Sequence, residues 1–566
     1  MEIPDTPAGN ERAINADEEQ VVSEVALRQA EAFDPGEEPA AEPAPGSQAG
    51  RIARSTAFFS IATAASRVVG LLREVIAAAY FGLSDAMSAF TVAFQVPNLI
   101  RALFADAALQ PAFVPVFTEQ LEKKNYREAF RLASTLLLFV TMILGAITAL
   151  FILLAPVLMP IFAPGFEGET RELMISLSQV LFPILVLLGV SGVVVGILNS
   201  YDRFGAFAIS PLFWNLTIIL VLVALEPLFE GEDRIYAYAI GILIGTAVQL
   251  AIPTWDLRHT PFRFKASFDW RNPDLRRVLL LMLPVTISLG LINFNLLINT
   301  FFGSLVSDAA PAAIDKAFRI YQLPQGIFSV AVATVLFPTL ARFANRGAID
   351  DLRATLANGM RLILFVLIPA AAAILVLSDP IIRLVFERGE FDAKDTALTG
   401  TALFWFAFSL PTNGLYLLQT RTFFGLQRPW MATKLAALDL VVSTLAALAL
   451  YSPFGVGGIV AGTGIGTSTA MIAQALILRR ELNGLELGRL FGTLARILVA
   501  SAALAGASFL VWDLLDGALG RHLGAQIASL GIGLAAGGLA YLLVARLLRM
   551  PELEQMVRLV RRRRAT

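Results

Sequence analysis

Long apolar runs recur along this chain from about Phe58 to Val544, and they narrow its possible folds more than any other feature. A run of ~20 apolar residues matches the length an α-helix needs to cross the hydrocarbon core of a bilayer. Inside that core no water satisfies a backbone N–H or C=O, so a crossing segment must satisfy its own. For runs this long, that means helices. Composition agrees, with 56% of the 566 residues hydrophobic and only 16% charged. We read about fourteen spans by this criterion. They centre near Val68, Gln95, Phe139, Val186, Ile218, Leu243, Gly290, Gly326, Val366, Ala407, Asp439, Gly466, Leu504 and Leu534. The expected fold class is an all-α polytopic membrane protein.

The same composition excludes several chemistries. The chain has no cysteine, so disulfides, thiolate metal sites and cysteine nucleophiles are ruled out. Its two histidines, His259 and His522, fall in expected loops far apart, so no His-carboxylate cluster is expected to hold a metal or run a triad. No GxxxxGK[ST] phosphate loop is present, which leaves an ion gradient or the membrane potential to drive any transport. No nucleic acid partner is expected.

Residues 1–50 differ from the rest: twelve Asp and Glu against two arginines, with much Pro and Ala. They lack the basic stretch and apolar core of a signal peptide. They read as a disordered acidic tail, with a short helix around Glu18–Phe33, and as a candidate docking segment for a regulator.

Loop charge sets the expected orientation. Connections at Glu122–Arg131, Asp256–Arg277, Arg342–Arg361, Arg421–Lys434 and Arg479–Arg496 are rich in Lys and Arg, as is the terminal RRRRAT. The alternate connections at Pro164–Glu172, Glu226–Asp233, Ser304–Pro311 and Ser452–Gly457 carry almost none. Roughly thirty basic residues fall on one side against about six on the other. Both termini should therefore be cytoplasmic, which is consistent with an even number of spans.

An internal repeat is also legible. AFQ at Ala93–Gln95 recurs as AFR at Ala317–Arg319, FAPGF at Phe162–Phe166 as FERGEF at Phe386–Phe391, and NSYDRFG at Asn199–Gly205 as QTRTFFG at Gln419–Gly425. The separations are all about 220–224 residues. A shift of six helices keeps the topology, so the halves are expected to be parallel repeats about an axis along the membrane normal. The expected organisation is a tail (1–50), an N-lobe of helices one to six (51–255), and a C-lobe of helices seven to twelve (256–482). Two extra helices (483–550) and a basic C-terminus (551–566) follow. Two pseudo-symmetric six-helix lobes facing each other form a transporter frame with its site between them.

Buried charge locates that site. Arg67 and Arg73 lie in SRVVGLLREVIAAAYFG, Arg101 in FQVPNLIRALF and Arg319 in KAFRIYQLPQGIF. A guanidinium near the bilayer centre costs about 2.5–3.5 kcal/mol on insertion scales, so four of them point to a cavity that receives an anion. Arg67 and Arg73 project about 120° apart with Gly70 between them. Glu74 falls near the Arg67 face, where it would hold an arginine in place. Pro97 should open helix two one turn before Arg101, with Asp106 beyond it. Lys316 would pair with Asp315 or Asp308, and Pro324–Gly326 should break the helix beyond Arg319. Arginine's planar fork bonds phosphate oxygens in pairs, so a ligand with two adjacent phosphates suits this set.

A second polar group lies deeper in the chain. Asp439 is a lone carboxylate in KLAALDLVVST, and Thr463 and Thr467 share one face of the next helix. Together they are a candidate site for a coupling cation, Na+ or H+. Gly533 and Gly537 have the small-xxx-small spacing of a helix-packing surface. Asn199, Asn295 and Asn299 read as groups that satisfy neighbouring helices.

The stretch SRVVGLLREVIAAAYFG, followed by FTVAFQVPNLIRALFADAALQPAFVPVF, resembles the MurJ/MviN family of lipid II flippases, within the multidrug/oligosaccharidyl-lipid/polysaccharide exporter superfamily. The likeness continues through FAPGF, GILNSYDRF, LINTFFGSLV, LPQGIFSVAVATVLFPTLARF and FERGEFDAKDT, covering roughly 52–550. It implies fourteen helices, a lipid-tail groove at helices thirteen and fourteen, and transport of the undecaprenyl-diphosphate-linked peptidoglycan precursor to the outer leaflet. It also implies functional arginines at Arg67, Arg73, Arg101 and Arg319, with an acidic position at Glu74. The sequence departs from the family pattern at Ser88, where an aspartate is usual and Asp85 is the available substitute. It departs again at Ala102, Asp106 and Ala107, and at Phe318, where some members carry Asp.

The expected function is thus a lipid II flippase of the bacterial cytoplasmic membrane working by alternating access, with lipid II and membrane lipids as partners and no enzymatic site. A flippase for another polyprenyl-diphosphate glycan, such as an O-antigen or capsule unit, would use the same arginines. A membrane glycosyltransferase would need a catalytic carboxylate or metal site at a membrane face. A scaffold docking through its tail would leave the arginines unexplained.

Overall fold

The computed structural model describes residues 49–101, 109–265, 269–485 and 487–554. The Glu18–Phe33 segment, Ala102, Asp106, Ala107 and the terminal RRRRAT lie outside the described residues. Among the described residues the chain is helical throughout, without strands.

The first half contains α1 (Ala49–Phe81), α2 (Asp85–Arg101), α3 (Leu109–Glu122), α4 (Tyr126–Phe162), α5 (Gly168–Leu181), α6 (Ile184–Asn199), α7 (Gly205–Leu225) and α8 (Ile235–Leu257). The second half contains α9 (Pro273–Val306), α10 (Ala310–Pro324), α11 (Val330–Asn345), α12 (Ile349–Phe386), α13 (Ala393–Gly425) and α14 (Pro429–Glu481). Last come α15 (Leu487–Leu519) and α16 (Leu523–Leu547). Among the described residues, eight helical segments are long and apolar enough to cross a membrane, and a ninth if the bent pair around Ser329 counts as one span. All fourteen expected centres fall on helical chain. Those at Asp439 and Gly466 share α14, which breaks at Gly455 with φ 55°.

Local sequence explains the helix ends that matter. Asn272 caps α9 by accepting from the N–H of Asp274 at 2.8 Å, and Pro273 fills the first helical position. Asp392 caps α13, accepting from Lys394 N–H at 2.8 Å and Asp395 N–H at 2.9 Å. Beyond Pro324 the helix loosens into a π turn over Gln325–Ser329, the break expected there.

Small residues set the closest helix packing. In α14 a Cβ at Gly462 would lie 2.6 Å from the backbone N of Ala447, so the two arms of that helix meet directly. The α15–α16 pair is equally close, since a Cβ at Gly537 would lie 2.8 Å from Leu504 O. Gly533 and Gly537 therefore pack on α15, as their spacing predicted. α15 also rests against α12, and Tyr541 of α16 donates to Phe365 O at 2.6 Å.

The halves meet where α2 packs on α10 and α9, and where α1 reaches α12. Contacts at the bundle's two ends are distinct. At the end where α1 begins, ion pairs tie the connections together, including Arg131–Asp269 at 2.9 Å and Arg277–Glu119 at 2.9 Å. At the far end, where α1 stops at Phe81, loops of one half touch helix ends of the other.

Candidate substrate-binding site

Three of the expected residues converge between α1 and α10. Arg73 and Glu74 on α1 are 6% and 3% exposed, and the Arg73 guanidinium donates to Glu74 Oε1. From the other half, Arg319 Nε lies 3.3 Å from Glu74 Oε2 and 2.9 Å from Asp315 Oδ2. One buried carboxylate is thus shared by two guanidinium groups, one from each half of the chain.

The cluster carries more cation than anion. Arg73 is stacked 4.6 Å from the Trp214 ring, and its Nε and Nη1 make no hydrogen bond. Lys316, one residue from Asp315, is fully buried with no partner for its Nζ, which sits 5.6 Å from the Phe386 ring centroid. The expected pairing of Lys316 with Asp315 or Asp308 does not form. Asp315 is one turn before Arg319 and is taken by it instead. Buried donors with nothing to bind, next to an excess of positive charge, make a seat for an anion, because charges interact more strongly away from water.

Arg67 sits apart from this cluster and is exposed. Its Nη1 is 3.9 Å from where a Cβ at Gly326 would be, so it faces the π turn of the other half. Glu74 holds arginines in place as expected, and the two it holds are Arg73 and Arg319. A Cβ at Gly70 would lie 3.5 Å from Asn215 Nδ2 of α7, an ordinary contact, so Gly70 faces α7. Arg101 closes α2 one turn after Pro97, and its side chain lies outside the description.

Asp439 has its own environment. It is 7% exposed and accepts from Ser443 Oγ at 3.1 Å, Thr467 Oγ1 at 3.4 Å and Asn295 Nδ2 at 3.5 Å. Thr463 does not join it, donating instead to Asn299 Oδ1 at 2.8 Å. Asn295 and Asn299 thus bond to a neighbouring helix as expected. Among the described residues no group of three or more His, Cys, Asp or Glu could hold a metal ion.

Sequence reasoning missed Trp214, Ser443 and the role of Asp315. The i,i+4 spacing of Asp315 and Arg319 was a usable signal. Trp214 offered only a tryptophan in mid-span. Ser88, at the position where an aspartate is usual, is fully buried and unpaired, and Phe318 stacks among Tyr321 and Phe406.

A helical membrane bundle with buried arginines from both halves facing one another belongs to the transporter class. Solved structures agree on the fold: a lipid II flippase MurJ in an inward closed conformation matches with TM-score 0.73 at 24% identity, covering 87% of this chain and 98% of that one. An inward-facing multidrug resistance MATE family transporter of the MOP superfamily matches at 0.59 and 18% identity, covering 75% and 94%. The sequence family described as MurJ, lipid II flippase, matches residues 77–524, and the chain belongs to that family of transporters. A probable lipid II flippase MurJ of Rhizobium meliloti (strain 1021) is 32% identical over 461 residues, 80% of this chain and 85% of the relative. One from Rhizobium tropici is 31% identical over 496 residues, 86% and 92%.

Proposed function

We propose that this flippase carries lipid II from the cytoplasmic to the outer leaflet by alternating access, with the diphosphate held by Arg73 and Arg319, and with Arg67 and Arg101 on its approach. The observation that carries this reading is the Glu74 carboxylate shared between the two halves. The cationic site is held together by an internal anion. A diphosphate offers more charge and more acceptors than one carboxylate, so it competes for both guanidinium groups and takes up the free N–H groups of Arg73. Substrate binding then replaces the Glu74 link between lobes with the substrate itself, which permits the lobes to rock while staying joined.

The fourteen-pass topology, the lobes at 51–255 and 256–482, and the lipid-tail groove at 483–550 belong to the same reading. So does a cytoplasmic location of both termini, supported by the basic loops. Asp439 with Thr467, Ser443 and Asn295 is the proposed seat of a coupling Na+ or H+, with Thr463 outside that group on Asn299. The acidic tail is the proposed docking point for a regulator.

The test is translocation of labelled lipid II in vesicles containing the purified protein. Arg73→Gln and Arg319→Gln should abolish it while circular dichroism shows the helical fold intact. Gly145→Ala, on a helix face with nothing within 4 Å, should translocate normally. Undiminished translocation by both arginine variants would sink the model. Running the same assay with a polyprenyl-diphosphate glycan of the O-antigen type separates the two substrate readings.

A further inference from the structure

Two loops of the repeat, Phe162–Phe166 and Phe386–Phe391, take no part in the substrate site. Both lie at the far end of the bundle, and each sits on the first long helix of the opposite half. Gly165 meets the end of α9 so closely that a Cβ there would lie 2.0 Å from Ser304 O, and its N–H donates to Ser304 Oγ at 3.2 Å. Gly389 meets the end of α1 in the same way. A Cβ would lie 2.1 Å from Ala79 O, and the N–H of Glu390 donates to that carbonyl at 2.9 Å.

The two contacts are related by the repeat. Gly165 and Gly389 are about 224 residues apart, and their targets Ala79 and Ser304 about 225, the spacing of the other repeated motifs. A further layer backs the second contact. Leu83 N–H donates to Asp395 Oδ2 at 2.9 Å, and a Cβ at Gly82 would lie 2.6 Å from Glu390 O. Real Cβ atoms do not approach oxygen this closely, so an alanine at either loop glycine must push the halves apart or move backbone.

We infer that the paired loop glycines form a pseudo-two-fold clasp that closes the far end of the transporter, each lobe gripping the first helix of the other. The inference rests on the alternating-access reading above and adds the elements that close one side. Because the same axis relates both contacts, one rocking motion opens them together. Each contact consists of main-chain closeness and few hydrogen bonds, so it holds the closed state without welding it.

The chain has no cysteine, so spin labels can be placed on introduced cysteines without background. One pair at the exposed far-end positions Glu172 and Lys394 reports on the clasp, and one at the exposed positions Arg127 and Arg346 reports on the other end. Distances are measured on the full chain in lipid vesicles. Gly165→Ala and Gly389→Ala should each move the far-end pair from mainly short to mainly long distances, with the other pair moving the opposite way. Gly165→Ala is the cleaner probe, because Gly389 also has a left-handed φ of 64°. Gly145→Ala should change neither pair. If a glycine variant does not fold, Ser304→Ala, which removes the bond from Gly165, and Asp395→Asn, which keeps a side-chain oxygen but removes the charged acceptor for Leu83, should shift the far-end pair the same way by a smaller fraction. An unchanged far-end distance in the folded variants overturns the clasp. A far end that opens in the variants, while lipid II never alters either distance in the unmodified protein, keeps the clasp and overturns alternating access.

Discussion

At the scale of single residues, the energetic oddity of arginine inside apolar segments led directly to Arg73 and Arg319. Their depth was legible because charge at mid-membrane is costly whatever the fold. The acid each one uses was not legible. Glu74 is adjacent in sequence to Arg73, yet its second partner comes from α10, and only the approach of α1 to α10 decides that. The Phe318 departure from the family pattern is similarly resolved by Asp315, which supplies Arg319 with a carboxylate from one turn earlier. Glu74→Gln should leave the Arg73 guanidinium without a carboxylate and break the link between the halves, while Arg319 keeps Asp315. Breaking a buried pair costs about 3–5 kcal/mol, and the lower end applies because the Arg319 side chain is 33% exposed. Thermal unfolding should show that loss without substrate and a partial recovery with a diphosphate lipid, whereas an unchanged midpoint would count against the shared-carboxylate arrangement.

At the scale of elements, glycine does two opposite things in these helices, and the sequence alone does not separate them. Gly466 lies in α14 where a Cβ would be 2.7 Å from Asp439 O, while Gly506 in α15 has nothing within 4 Å. Both read as glycines in apolar helices. Gly466→Ala should destabilise by about 1–3 kcal/mol through overpacking. It should also disturb the Asp439 group, read as weaker dependence of transport on the coupling ion. Gly506→Ala should stabilise by about 0.4–1 kcal/mol through helix propensity. Unfolding midpoints of the two variants moving in the same direction would refute this distinction. The helices themselves followed from apolar runs, caps and prolines, all of which are local. The π turn over Gln325–Ser329 was foreseen only as a break after Pro324, because its form depends on the chain it packs against.

At the scale of the whole molecule, closure brings like charges of both halves together at the far end. Burial, and then the carboxylates of Asp85 and Glu167, push the Asp308 carboxyl up from its ordinary range. A raised carboxyl pKa means the closed form binds the proton more tightly than a form in which these groups are apart. The associated stability is present at low pH and is lost as pH rises through the raised value. The short-distance population of the far-end spin-label pair should therefore fall as pH rises above the ordinary carboxyl range of about 4. A population that rises with pH would contradict that sign.

The sequence by itself determined that this chain is a helical membrane protein, that its motifs recur at a fixed spacing, and that arginines lie inside its apolar segments. These follow from hydropathy, spacing and the cost of buried charge, which need no knowledge of what lies beside what. The tertiary structure decided the pairings: Glu74 between Arg73 and Arg319, Thr463 on Asn299 rather than Asp439, and Gly165 and Gly389 on the opposite halves. Those depend on contacts between residues more than a hundred positions apart. Such contacts act over a few ångströms, a range set by packing that sequence spacing does not encode.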